Sequence, residues 1–315
     1  MENHDVVIIG AGPAGLATAL ALHKQGIKDV VVLEREAEAG GVPRHCGHIG
    51  FSFTSRRGIL SGPKFVSRLS QLSQGIEIRT ATTVLEFTLS GSLRVHSALG
   101  ISEISAKRIV LATGTREASP AARMIAGNHV AGVINTGTLQ QLVYLQNTKP
   151  FSSPVILGSE WVSFSAMATC RHAGMRPVAL LAEGESLGEG ALMKVPRYFA
   201  YGAKYVFGVP VLFSTRLIAV HGKGQVEAVE VETQGKRRMI DCDGVIVSGK
   251  FRSENALYSA GFLERDGFAP KITDQFKTSR ANIYAVGNVL DRLEMAGQCF
   301  LQGDKLAAII TSDLK

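Results

Sequence analysis

The sequence lacks a membrane-spanning stretch, paired cysteines and any low-complexity linker. Its N-terminal apolar run, Val6 to Ile9, follows a polar start without a basic region and stops at a glycine. No later apolar stretch approaches the roughly 18 residues that a bilayer span needs. The expectation is a cytoplasmic chain with no transmembrane segment. Cys46, Cys170, Cys242 and Cys299 are scattered and form no C-x-x-C. That spacing excludes a zinc ribbon, an iron–sulfur loop and a vicinal redox disulfide, so no metal site is expected. The formal charge of +7 is compatible with anionic cofactors or an acidic partner, but "KRR" at 236–238 is the only basic run. No aromatic residues interleave with it, which points to a solvated hairpin tip and away from nucleic acid.

The 315 residues, 45% hydrophobic with 34 glycines, are enough for two modest domains with real cores. "DVVIIGAGPAGLATALALHKQG" is a short β-branched strand, a glycine turn and an apolar-periodic helix, and "DVVVLERE" adds a second strand ending in acid. "PVILGSEWVSFSAMATCRHAGMRPVALLAE", 154–183, repeats this grammar and also ends in acid, at Glu183. The duplication predicts an α/β chain of two Rossmann-like three-layer domains. The second is inserted into the first: 1–117 and 253–315 form one, 118–252 the other. "AKRIVLATGT" and "TSRANIYAVGNVL" read as buried strands ending in small-residue turns, and 226–247 as a hairpin returning to a sheet strand.

Gly10, Gly12 and Gly15 follow a strand and open a helix, and Glu34 stands about twenty residues on. This is the context of the dinucleotide fingerprint. Gly10 permits the tight turn, Gly12 lets a pyrophosphate approach the backbone, and Gly15 lets helix and strand pack. Pro13 and Ala14 complete the turn, whose N–H groups and helix dipole suit a diphosphate. Glu34, with Arg35 beside it, would take the ribose hydroxyls. The fingerprint by itself fits FAD and NAD alike.

A "GG" at Gly40 and Gly41, an "ATG" strand end and a late "YAVGN" strand resemble the flavoproteins with two dinucleotide-binding domains, the relatives of thioredoxin and glutathione reductase. That resemblance runs along nearly the whole chain. It implies FAD on the N-terminal fingerprint, flanked by Thr113 and Gly114 and completed by the C-terminal segment. The family usually ends the late strand in Gly-Asp, whose carboxylate binds the ribityl chain; here the pair is Gly287 and Asn288, which keeps hydrogen bonding and removes a charge. Ala296 to Gln298 match the place where helix N–H groups meet the flavin pyrimidine.

The disulfide reductases carry their redox pair after "GG", whereas "GGVPRHCGH" has Cys46 alone, which rules that chemistry out there. With "GNVL" and "EMAGQC", this segment is similar to the smaller FAD subunits of multi-component bacterial dehydrogenases acting on opines, hydroxyproline and related amino acids. That resemblance implies a partner subunit holding the substrate site or an iron–sulfur cluster. In it Arg44 contacts FAD phosphate or flavin, or else is a surface cation. His45 and His48 donate to flavin or move protons as the catalytic candidates, or only satisfy backbone groups.

In the second turn, Gly158 is kept, Glu160 replaces the middle glycine and Ser163 the third. Two anions within about 4 Å repel by roughly 4 kcal/mol at an intermediate dielectric. An NAD(P) site there is expected to be weakened or repurposed, although Glu183 keeps the ribose position; Ser163 is expected to hold helix off strand. Three roles fit: a flavin-bearing component of an amino-acid or opine-type dehydrogenase, a self-sufficient NAD(P)H-dependent flavin reductase, and a non-catalytic nucleotide-holding scaffold.

Overall fold

The computed structural model describes residues 2–56, 58–88, 92–185, 206–258, 260–291 and 293–315. The chain forms two compact units: Met1–Arg44, Ile49–Arg116 and Phe251–Lys315 make the first, and His45–His48 with Glu117–Lys250 the second.

In the first unit, β1 (Glu2–Ile9) leads through a glycine turn into α1 (Pro13–Lys24), and β2 (Val30–Leu33) follows. β1 pairs in parallel with β2, Val6 opposite Val30 and Ile9 opposite Leu33. Its other neighbour, also parallel, is the long strand Gly100–Leu111. Val6 to Ile9 and Val30 to Leu33 are buried at every position, as an interior parallel sheet requires and as an alternating strand would not be. Strand Gly100–Leu111 changes partner along its length. Its first half pairs antiparallel with Leu93–Ser97, and Ile109 to Leu111 pair in parallel with Ile283–Ala285. The C-terminal segment thereby enters the same sheet as β1.

The final helix, Ala296–Leu314, packs on α1 through small residues. A Cβ at Gly303 would stand 2.5 Å from the Ala14 carbonyl oxygen and 2.8 Å from the Ala17 Cβ. Tyr284 and Lys277 both reach Asp313, and Arg108 donates to its carbonyl, anchoring the end of the helix to the sheet. Leu306, Ala307 and Ile310 of this helix are fully buried; burying a side chain the size of Leu306 or Ile310 contributes about 1.5–3 kcal/mol.

The second unit repeats the opening motif as β3 (Val155–Leu157), α2 (Trp161–His172) and β4 (Ala179–Leu181). Its five-stranded sheet is parallel throughout, in the order Val133–Asn135, Val245–Val247, β3, β4, Val211–Leu212. Successive residues of β3 serve opposite faces. Ile156 joins Leu139, Met167 and Cys170 under the helices, while Val155 and Leu157 join Val220, Val229 and Val231 of an antiparallel meander. The unit is therefore layered as helices, sheet and meander. In the meander, Ala228–Thr233 and Lys236–Asp241 form a hairpin whose turn residues Gln234 and Gly235 both have positive φ. Lys236 to Arg238 lie exposed on it, and Arg237 pairs with Glu230 and Glu232.

The contact at Gly303 makes a direct test. Gly303→Val is expected to lower the stability of the first unit by about 1–3 kcal/mol through overpacking, read as a lower urea midpoint with unchanged slope. An unaltered midpoint would refute the close approach of the two helices.

Candidate functional site

In the first unit the glycine turn separates packing from access. Gly10 adopts φ +109° and donates its N–H to the Leu33 carbonyl at 2.8 Å. A Cβ there would stand 2.5 Å from the Ala112 carbonyl oxygen, and one on Gly15 would stand 2.0 Å from that of Gly10. Only glycine fits either place. Gly12 is different, because no atom lies within 4 Å of the position its Cβ would take. It is the N-cap of α1, Pro13 and Ala14 begin the helix, and no side chain caps the first-turn N–H groups. Open space before uncapped amides suits a diphosphate.

Glu34 is 7% exposed. Its two oxygens accept from the Ala11 and Glu36 N–H groups, both at 2.9 Å. Each oxygen retains a further lone pair, so ribose hydroxyls remain within its hydrogen-bonding capacity. The segment beyond the acid folds back on the turn: the Gly40 N–H donates to the Ala11 carbonyl at 2.8 Å, and a Cβ on Gly41 would come 3.0 Å from the Gly12 Cα. Arg44 packs its stem against Gly40 and pairs with Glu38 at 3.1 Å, while its Nε is buried with no partner among the described residues. A buried donor without an acceptor, next to a turn with open space for phosphate, fits an anionic group.

The remaining expected FAD residues of this unit are held by one another. Thr113 Oγ1 donates to the Glu254 carbonyl at 3.2 Å, and the Glu254 N–H donates to the Gly114 carbonyl at 2.9 Å. The Glu254 carboxylate takes both Arg35, at 3.2 Å, and Arg116. Glu254 has no sequence signal, because its partner Arg35 is 219 positions away. The Gly287 N–H donates to Gln302 Oε1 at 3.1 Å. Asn288 donates through Nδ2 to the Glu294 carbonyl and accepts the Glu294 N–H at Oδ1, and Gln298 Oε1 accepts the Met295 N–H. Both amides thus shape the loop into the final helix.

His45 and His48 belong to the second unit. His45 is buried and ends the short helical turn Val42–His45, and His48 is half-buried. Between them Cys46 Sγ lies 3.6 Å from Gln140 Oε1. All four cysteines are free and buried. Burial pushes the thiols of Cys46, Cys170 and Cys299 up to about 12, and that of Cys242 up to about 11. None is a thiolate at neutral pH. Among the described residues no cluster of His, Cys, Asp and Glu could hold a metal ion, and no described helix is long and apolar enough to cross a membrane.

The second turn copies the backbone of the first. The Gly158 N–H donates to the Leu181 carbonyl at 3.0 Å, as that of Gly10 does to Leu33. Glu160 is the N-cap of α2 with φ −81° and ψ 165°, against −78° and −176° at Gly12. Ser163 is fully buried, its hydroxyl 3.1 Å from that of Ser248, an accommodation in place of the separation that its size suggested. The Glu160 carboxylate turns onto the segment after Val245–Val247, accepting the Lys250 N–H at 2.6 Å. Glu117 accepts the neighbouring Gly249 N–H at 3.0 Å and the Gly137 N–H at 2.7 Å. Burial raises its pKa against these two bonds, with the charge of Glu160 adding to the rise. Arg123 donates to the Ser248 carbonyl at 2.8 Å; burial lowers its pKa, and Glu160, Glu183 and Glu117 oppose that. Glu183 is exposed.

An α/β unit with a phosphate-ready turn, a ribose-ready acid and a C-terminal strand in its sheet defines a dinucleotide-binding protein. The chain belongs to the pyridine nucleotide-disulphide oxidoreductase family, which it matches over residues 4–303. Proteins of this family bind FAD and often NAD(P). The chain is 24% identical over 349 residues to an opine oxidase subunit of Agrobacterium tumefaciens (strain Ach5), covering 100% of this chain and 66% of that protein. It is 28% identical over 342 residues to the small chain of glutamate synthase [NADPH] of Escherichia coli (strain K12), covering 96% and 67%. The chain thus spans about two thirds of the length of these curated relatives. T. acidophilum thioredoxin reductase shares the fold with a TM-score of 0.77 at 19% identity, over 99% of each chain.

Two outcomes test the site. Gly12→Glu fills the open space before α1 with a carboxylate and is expected to abolish FAD retention, read by mass spectrometry of released cofactor; full FAD occupancy in the variant would sink this reading. A thiol reagent at pH 7.5 should leave the folded protein essentially unmodified and titrate four thiols in guanidinium chloride. Rapid reaction of one thiol in the native state would contradict the raised pKa values.

Proposed function

We propose that this chain is the flavin-bearing component of a multi-subunit dehydrogenase acting on an amino acid or opine, and that electrons pass through its FAD to or from a partner protein. The reading is carried by the state of the cysteines. A disulfide reductase relays electrons through a thiol pair, and here four buried, unpaired thiols offer none. The likeness to an opine oxidase subunit over the entire chain adds the substrate class and a partner subunit; in this reading the partner holds the substrate site or an iron–sulfur cluster.

In this reading the open turn at Gly12 and the acid Glu34 hold the adenosine diphosphate portion of FAD, and Arg44 supplies a cation toward it. Thr113, Gly114, Gly287, Asn288 and Gln298 border the cofactor. Bound FAD supplies a hydride acceptor. The chain's own residues bind it, orient it and set the charge around it. His45 and His48 are the candidate proton carriers, with no substrate placed against either.

Anaerobic spectroscopy of the purified chain, alone and with the protein that co-purifies with it, tests the proposal. Flavin bleaching is expected only when both the partner and an amino-acid or opine substrate are present. Bleaching of the isolated chain by NADH at a turnover rate would make it a self-sufficient reductase and refute the component role. Cys46→Ser is expected to leave the bleaching rate within a few-fold, whereas a loss of about 100-fold, or about 2.7 kcal/mol of barrier, would restore a thiol to the mechanism.

A further inference from the structure

We propose that Glu160 is a specificity-determining residue: its carboxylate, seated on Gly249 and Lys250, closes the nucleotide turn of the second unit to NADH and NADPH. The inference rests on the component reading and deepens it, because it reserves the flavin for a donor that does not dock on that turn.

The chain carries its own comparison. Both turns begin with a glycine whose N–H bonds the next strand, and both present an N-cap residue with nearly the same backbone angles. At that residue the first turn has Gly12 and empty space. The second has Glu160, and its side chain does not extend free into solvent. It crosses to the 248–250 segment, where the Lys250 N–H meets it at 2.6 Å. The berth is shaped for it: a Cβ on Gly249 would lie 2.3 Å from Glu160 Oε1, and Gly249 also holds φ +84°. Any other residue at 249 would be strained and would evict the carboxylate.

The charges point the same way. Glu117 lies on the adjoining N–H, that of Gly249, and Glu160 acts on its titration. Glu160, Glu183 and Glu117 all act on Arg123, one of whose guanidinium N–H groups donates to the Ser248 carbonyl. Among the described residues, the charges coupled to one another at this turn are three carboxylates and one arginine, and a dinucleotide would bring two further negative charges to them. One unscreened pair at about 4 Å corresponds to roughly 4 kcal/mol, or about a thousandfold in affinity, before Arg123 and salt reduce it. A reduction to tenfold would still shift a micromolar Kd to about ten micromolar. Ser163 leaves the packing of the turn sound, so the obstacle is the carboxylate and not a collapsed fold.

The test is calorimetric titration of the whole FAD-loaded chain with NADH and with NADPH at low salt, for wild type, Glu160→Gly and Glu160→Gln. The glutamine variant keeps an acceptor for the Lys250 N–H and removes only the charge, and thermal melts verify that both variants fold. Wild type is expected to show no saturable binding below millimolar nucleotide. Both variants are expected to gain at least about tenfold, and NADH should bind better than NADPH because Glu183 disfavours a 2′-phosphate. Micromolar binding by wild type, or folded variants that bind no better than wild type, would overturn the proposal. The two readings fail separately. NADH binding that leaves the flavin oxidised refutes only the role of Glu160, and wild type that refuses NADH but is never reduced with a partner and substrate refutes only the component role.

Discussion

The approach of α1 to the ends of β1 and Gly100–Leu111 is the constraint that governs the first unit. At Gly10 and Gly15 the backbones come so close that a single methyl would collide with a carbonyl oxygen. That contact fixes where the helix begins, and it leaves the first-turn amides free of side-chain caps at the one point where Gly12 keeps space clear. The C-terminal segment reinforces it, since Gly303 lets the final helix settle on Ala14 and Ala17 behind the turn. Packing and cofactor access are thus two results of one arrangement of glycines.

The second unit keeps the same scaffold and changes what occupies it. Its N-cap residue has nearly the backbone angles of the first turn, yet the carboxylate of that residue accepts the Lys250 N–H, while Glu117 accepts the adjoining Gly249 N–H. Glu117 and Arg123 extend this into a polar network around Ser248 to Lys250, just where the chain leaves the second unit. Fold and ligand are separable in principle, and here two turns of one chain whose N-cap residues share nearly the same backbone angles differ in what occupies them, open space at Gly12 and a carboxylate at Glu160. A partly buried carboxylate whose pKa desolvation raises, such as Glu117, contributes to stability at low pH, a contribution lost as pH rises through its folded-state value.

Much was legible beforehand because the signals are local. A strand, three glycines, a helix and an acid lie close together in the chain, and their spacing alone specifies a turn that can hold a diphosphate. The duplicated grammar at 154–183 made the two-unit α/β fold readable for the same reason, and the missing glycine marked the second turn as different. Other features had no local signature. Glu254 links Arg35 with Arg116 although Arg35 is 219 positions away, and the berth for Glu160 is completed by the Lys250 N–H, 90 positions on. The grouping of His45–His48 with the second unit follows from contacts such as that of Cys46 with Gln140, 94 positions apart.

Residue types at short fixed spacings were enough to set the class of fold, a turn with open space before uncapped helix amides and the absence of a thiol pair. The destination of the Glu160 carboxylate was settled at the level of packing alone. A glutamate at an N-cap can point to solvent, cap its own helix or reach another strand, and those choices differ by hydrogen bonds that no local pattern of residues records. What selects among them is the Lys250 N–H and the bare Cα of Gly249, brought beneath that side chain by the parallel pairing of Val155–Leu157 with Val245–Val247.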